Sequence, residues 1–232
     1  LFDMHHLRDS VIENGQLSRY VGHYYAAHLD QQIQAVVGNS VRVHPTLNQH
    51  RPLRIGFLSR HFRRHSVGWC SADIIQELSH LNTEIYLYVT GEMQPDDRTA
   101  LFEKAATKFY HNQHSKGNAD AQEIIEQVSS DGIDVLVDLD SITVLCHTAI
   151  LRARPAPVCI TWLGYDAPYI CDRNYYLSDR FTHPPGVEPH YVEKIVRMPN
   201  SFTAIGGLKC ATGNRETIRR GMRLGNDQVA YL

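Results

Sequence analysis

The chain has 232 residues, 43% hydrophobic and 21% charged, with a formal net charge of -2 at pH 7. That length suits one or two domains with a core of their own, and the composition excludes gross disorder and a globally basic, nucleic-acid-binding character. No window approaches the roughly 18 to 20 uninterrupted apolar residues of a membrane-spanning helix, and the N-terminus lacks signal-peptide order. A soluble, cytoplasmic chain is therefore expected, with neither nucleic acid nor membrane as partner.

Residues 10–37 carry apolar or aromatic side chains every three or four positions, among them Val11, Tyr20, Val21, Tyr24, Tyr25, Leu29 and Ile33, which predicts a helix. It lies in a helical segment, 1–43, and either packs on helices upstream of Leu1 or on the domain that follows. The polar, proline-bounded "HPTLNQHRP" reads as a linker over 44–52.

Beyond the linker, strand and helix patterns alternate. "LRIGFLS", "EIYLYVTG", "KFYHN", "IDVLVDLD", "VCITWLG" and "NYYLSD" read as strands. Between them, "VGWCSADIIQELSHL", "DRTALFEKAA", "NADAQEIIEQVSSDG" closed by Gly132, and "TVLCHTAILRAR" stopped by Pro155 read as helices. This order implies right-handed crossovers and an α/β fold, a Rossmann-like parallel sheet with helices on both faces. The chain ends in "NDQVAYL", which resembles a strand just starting, so a piece of a longer protein is expected.

Neither GxGxxG after the first strand nor GxxxxGK[ST] is present, so a nucleotide would not be held by those glycine-rich loops. Ligands of open α/β sheets still bind beyond the carboxyl ends of the strands. Three segments fall there: "SRHFRRHSVG", "LDSIT" and "LGYDAPY".

In the first, His65 stands where a strand hands over to a helix, able to serve as a base or as a neutral hydrogen-bond partner. His61 is four residues away, a spacing that would suit zinc on a helix. The loop setting and the charge of Arg60, Arg63 and Arg64 argue against a metal there; those arginines suit phosphate, a carboxylate or plain solvent. Asp138 and Asp140 can be read as an acid/base pair or as a strand end before a helix capped by Ser141 or Thr143. Gly164 ends an apolar strand where backbone can approach a ligand closely. The five cysteines, Cys70, Cys146, Cys159, Cys171 and Cys210, are odd in number and scattered, so reduced thiols are expected.

Taken together and in order, "LRIGFLSRHFRRHSVGW", "DGIDVLVDLDSIT", "RPAPVCITWLGYD" and "LSDRFTHPPGVEPHYVEKIVRMPNSF" resemble the O-linked N-acetylglucosamine transferase family and its SPINDLY-type bacterial relatives, from about Pro52 to Leu232. The "LDSIT" form is similar to that of cyanobacterial members. The resemblance implies a GT-B architecture, usually preceded by tetratricopeptide repeats. Residues 53–205 would form the N-terminal Rossmann-like lobe, and 206–232 the connection and first strand of a C-terminal lobe that binds most of the nucleotide and is missing here.

It also implies inverting transfer of a sugar, typically N-acetylglucosamine, from a UDP donor to Ser or Thr of a protein acceptor. Neither metal nor other cofactor is expected, and the isolated chain should be inactive. By the same resemblance His65 is the catalytic candidate, matching the histidine of "DFxxHxxG". Thr143, Leu163, Gly164, Tyr165 and Asp166 are the substrate-binding candidates, with Asp166 where the family usually has proline. His61 replaces the aspartate of "SPDF", and "LDSIT" replaces "LxGHT". These departures leave the donor sugar open, and leave open a catalytically inactive lobe that binds a peptide or partner.

Overall fold

The structure is a computed structural model describing residues 8–37, 51–111, 121–164, 167–204, 213–225 and 228. Its helices are α1 (Val11–Val37), α2 (Ser66–Ser79), α3 (Thr99–Ala105), α4 (Ala121–Asp131), α5 (Leu145–Ala153) and α6 (Arg215–Gly221). The strands are β1 (Leu53–Ser59), β2 (Thr83–Val89), β3 (Lys108–Tyr110), β4 (Val135–Asp138), β5 (Val158–Thr161), β6 (Tyr175–Asp179) and β7 (Lys194–Met198). Short 3-10 turns cover Ser141–Thr143 and Glu188–His190.

The described strands form one parallel sheet in the order β3-β2-β1-β4-β5-β6-β7. Successive side chains of a strand point to opposite faces, and each central strand here is apolar on both. On one face Leu58, Tyr86, Tyr88, Leu136 and Cys159 pack with Ile124, Ile125 and Val128 of α4 and Ile150 and Leu151 of α5. On the other, Phe57, Ile85, Leu87 and Val137 pack with Ala72 and Ile75 of α2 and Phe102 of α3. Fully buried side chains such as Phe57 and Leu58 each contribute about 1.5–3 kcal/mol. The continuous apolar runs read as parallel strands are thus explained by two-sided burial.

Several endings differ from the sequence reading. β4 stops at Asp138 and β5 at Thr161, because Asp140, Ser141 and Gly164 are used in turns. Gly132 does close α4, in the left-handed region at φ 62°. Neither Ser141 nor Thr143 caps α5: its N-cap is Val144, which makes no side-chain cap bond. β7 had no counterpart in the sequence reading, since its burial alternates exposed and intermediate and the apolar signal is weak. The strand expected at "NDQVAYL" and the linker 44–52 lie outside the described residues, except Gln228, Arg51 and Pro52.

α1 lies on the domain itself. Ala26 joins the core beside α5, Asp30 forms an ion pair with Arg152 of α5 at 2.6 Å, and Arg19 donates to the Pro189 carbonyl at 2.6 Å. Gly22 makes the close approach possible, because a Cβ there would lie 2.1 Å from the Tyr169 carbonyl oxygen. The loop that α1 touches is held from below by the buried Glu193 carboxylate, which accepts from the backbone N–H groups of Tyr169, Ile170 and Cys171 at 3.1, 2.9 and 3.2 Å.

Candidate functional site at the carboxyl edge of the sheet

The chain runs outward from β1 through β2 to β3, then returns to place β4 on the other side of β1. This reversal of direction opens a crevice beyond the carboxyl ends of β1 and β4, the usual ligand position in such sheets. Three turns meet at that edge.

The first turn follows β1. Phe62 is fully buried and pins it to the core, while Gly68 lets α2 start tightly against it: a Cβ there would lie 2.0 Å from the Arg63 carbonyl oxygen. His65 is the N-cap of α2, with extended backbone, and its Nδ1 accepts from the Val67 N–H at 3.3 Å. An unprotonated Nδ1 leaves the neutral ring's proton on Nε2. Burial, then the charge of Arg63, hold the His65 pKa below its ordinary value.

His61 stacks on His65 with ring centroids 3.7 Å apart and planes 11° from parallel. The rings lie face to face, a geometry in which their nitrogens do not converge on one ion. Burial, followed by the neighbouring charges of His65, Arg63 and Arg60, lowers the His61 pKa to about 4. Its Nδ1 is buried without a hydrogen-bond partner among the described residues. Among the arginines, Arg64 meets a carboxylate of the chain itself, binding Asp97 through Nε and Nη2 at 2.6 and 2.8 Å. The Arg60 guanidinium stands against Gly91, where a Cβ would lie 2.5 Å from its Nε.

The second turn follows β4. Asp140 accepts from the Ser59 hydroxyl at 3.0 Å and from the Arg60 N–H at 2.7 Å, tying this turn to the first. Ser59 in turn accepts from the His61 N–H at 2.8 Å. Burial raises the Asp140 pKa. Thr143 donates its hydroxyl to the Asp140 carbonyl, so this substrate candidate also closes the 3-10 turn. Ser141 is in the left-handed region at φ 53°, a strained conformation for a residue with a side chain.

The third turn follows β5. Leu163 is also left-handed, at φ 66°, and Gly164 presses on the second turn, its missing Cβ falling 2.1 Å from the Ser141 Cβ. Tyr165 and Asp166 lie outside the described residues. Of the sequence candidates, the structure therefore brings Leu163, Gly164 and Thr143 to one place and links them through Asp140 and Ser59 to the His61–His65 stack.

The sequence reading named Asp138 but missed its partner beneath these turns, His147. Asp138 is fully buried, and its Oδ1 accepts from the Asp140 and Ser141 N–H groups, both at 3.0 Å. The same oxygen meets Nδ1 of His147 at 2.6 Å, and His147 Nε2 meets the Thr90 hydroxyl at 2.6 Å. Asp138 and Asp140 thus shape a turn, which is the strand-end reading of the pair. A signal for His147 existed: it precedes Ile150 and Leu151 by three and four residues, which puts an imidazole on the buried stripe of α5.

A sequence profile of Glycosyl transferase family 41 matches residues 22–210. The chain belongs to that family. A probable UDP-N-acetylglucosamine–peptide N-acetylglucosaminyltransferase SPINDLY of Solanum lycopersicum is 28% identical over 153 residues, which cover 66% of this chain and 16% of that protein. The UDP-N-acetylglucosamine–peptide N-acetylglucosaminyltransferase of Caenorhabditis elegans is 25% identical over 151 residues, 65% of this chain and 13% of that protein. A solved lysine-to-methionine mutant of Thermobaculum terrenum O-GlcNAc transferase superposes with a TM-score of 0.60 at 28% identity, covering 69% of this chain and 30% of that one. The family 41 chain described here therefore spans a small part of the length of these relatives. Its parallel sheet with helices on both faces agrees with the GT-B lobe that the motifs implied. No described helix is long and apolar enough to cross a membrane.

Proposed function

We propose that these residues form the acceptor-side lobe of a protein O-glycosyltransferase, moving a sugar from a nucleotide-sugar donor to a Ser or Thr hydroxyl with inversion. UDP-N-acetylglucosamine is the donor we favour, from the names of the relatives. The observation that carries the reading is the meeting of the three motif turns at the topological switch point, with Gly164 on Ser141 and Asp140 on the His65 turn.

In such a transfer the hydroxyl oxygen attacks the anomeric carbon, the bond from that carbon to the diphosphate oxygen breaks, and the diphosphate leaves with the electron pair. The protein must align the hydroxyl, give its proton a route and stabilise the departing charge. His65 is suited to alignment. Its Nδ1 is engaged with the Val67 N–H, so the neutral ring offers Nε2–H as a donor toward substrate, and the hydroxyl proton passes to an oxygen of the departing diphosphate, which gains charge as its bond to the sugar breaks. Gly164 seats the turn after β5 on Ser141, so that this turn borders the same crevice as the His65 turn. Stabilisation of the diphosphate belongs to the nucleotide-binding lobe, which makes this chain inactive alone in our reading.

The test is incubation of the full-length protein with UDP- and GDP-sugars and a protein acceptor, with mass spectrometry of the acceptor. A mass gain of one sugar on Ser or Thr is expected from UDP-N-acetylglucosamine, and His65→Ala should lower turnover with little change in nucleotide affinity. Transfer from no donor would overturn the reading in favour of a lobe that binds a peptide or partner.

A further inference from the structure

Every turn of the candidate site leads back to one buried pair. The Asp138 carboxylate reaches the surface only through the backbone: its Oδ1 holds the N–H groups of Asp140 and Ser141. Asp140 then holds the Ser59 hydroxyl and the Arg60 N–H, and Ser59 holds the N–H of His61, whose ring lies on His65. Ser141, on the other side, is the residue on which Gly164 rests. His147 is itself fully buried and can touch neither substrate nor solvent.

We propose that His147 is the positioning residue of the site: paired with Asp138 and braced by Thr90, it sets the Asp140–Ser141 turn, and through that turn the placement of both the His65 ring and Gly164. This rests on the transferase reading for its effect on rate, although the coupling itself does not.

The physical case is the demand on one oxygen. Asp138 Oδ1 accepts two backbone N–H bonds in addition to the His147 bond, while Oδ2 is buried and unpartnered among the described residues. Three contacts converge on that one oxygen and fix the orientation of the side chain, and a buried polar group is stable only with its hydrogen-bond partners in place. The His147 ring is the one side chain among the three. The groups acting on His147 are Asp138 of β4 and Asp140 of the following turn, which favour its charged form, and Arg60 of the first turn, which opposes it along with burial. Near the stack, His61 feels His147 as well. Burial is the largest single influence, yet the two carboxylates outweigh it and the pKa is raised.

A left-handed Ser141 is the element at risk. Left-handed backbone persists where its surroundings over-determine it, and here the Asp138 cap and the Gly164 contact do so. Without the His147 donor the turn can relax, and misplacement of reacting groups by ~1 Å lowers rate by about 100-fold.

The experiment has two arms on the full-length protein. In the first, His147→Ala is expected to lower kcat by about 10- to 100-fold with KM for the donor nearly unchanged. His147→Asn, whose amide N–H reaches Asp138 from roughly the Nδ1 position, should restore most of the loss. Thr90→Val, which removes only the brace at Nε2, should give a smaller loss. Equal rates in wild type and His147→Ala, or equal impairment of folded Ala and Asn variants, would overturn the proposal.

In the second arm, selectively 15N-labelled protein is titrated without substrate. The Asp140 and Ser141 amide resonances should follow the protonation of the His147 ring, and amides that ignore it would overturn the coupling. If the wild type transfers no sugar, the transferase reading fails on its own, and the second arm still decides whether His147 sets the turn.

Discussion

Gly164 sits so close to Ser141 that a methyl group on it would lie 2.1 Å from the Ser141 Cβ, 2.8 Å from the Ser141 nitrogen and 2.9 Å from the Asp140 carbonyl carbon. Its own φ is not left-handed, so what the position requires is space. The obstructing atoms are backbone or the root of a side chain, and none can swing aside. Gly164→Ala should cost about 1–3 kcal/mol as an overpacked contact. For a chain of this size that is a fall of roughly 2–12 °C in melting temperature, read by calorimetry. An unchanged melt would mean that the turns after β4 and β5 separate in solution.

His65 has a structural duty and a chemical one, and one substitution divides them. Asparagine is a favourable N-cap, so His65→Asn should keep the start of α2 and stay within about 0.5 kcal/mol of wild type in urea unfolding. His65→Ala should lose about 1 kcal/mol with the cap. Both remove the ring and its Nε2–H, so both should lose turnover. Full activity in the asparagine variant would reduce His65 to a helix cap.

The half-buried His61 and the buried His147 set opposite pH limbs of stability. The folded His61 value is depressed from 6.5 to about 4, so the unfolded chain binds its proton first, and stability present above 6.5 is lost as pH falls toward 4. The folded His147 value is raised, so its contribution is complete below the unfolded value near 6.5 and is lost as pH rises through the folded one. Urea midpoints measured from about pH 4.5 to 9 should show a shallower acid limb in His61→Leu and a shallower alkaline limb in His147→Asn. Parallel curves for wild type and either variant would contradict the corresponding assignment.

Docking of α1 depends on Gly22 far more than on Gly15. A Cβ on Gly22 would meet the Tyr169 carbonyl oxygen at 2.1 Å, whereas one on Gly15 would meet side-chain atoms of His190 at 3.0 to 3.3 Å. Gly22→Ala should therefore raise hydrogen exchange and protease cleavage along residues 11–31, and Gly15→Ala should change little. Similar protection in both variants would show that the helix shifts along the domain without loss.

Much of this protein is determined by sequence alone. Two-sided apolar runs separated by amphipathic segments force parallel strands with crossover helices, because no other arrangement buries both faces of each strand. The same order places "SRHFRRHSVG", "LDSIT" and "LGYDAPY" at one edge, where His65 and Gly164 stand out by their chemistry, whereas Thr143 and Leu163 are candidates only through the family resemblance. What only the tertiary structure decided is how those segments touch. The Asp140 bonds to Ser59 and Arg60, the stack of His61 on His65, the seat of Gly164 on Ser141 and the docking of Gly22 on Tyr169 all depend on ångström-scale separations between elements that periodicity does not encode. His147 shows the boundary most clearly. Its place on the buried stripe of α5 was readable, but its partners are Asp138, the last residue of β4, and Thr90, the residue after β2, and only packing α5 across the sheet brings them within hydrogen-bond distance.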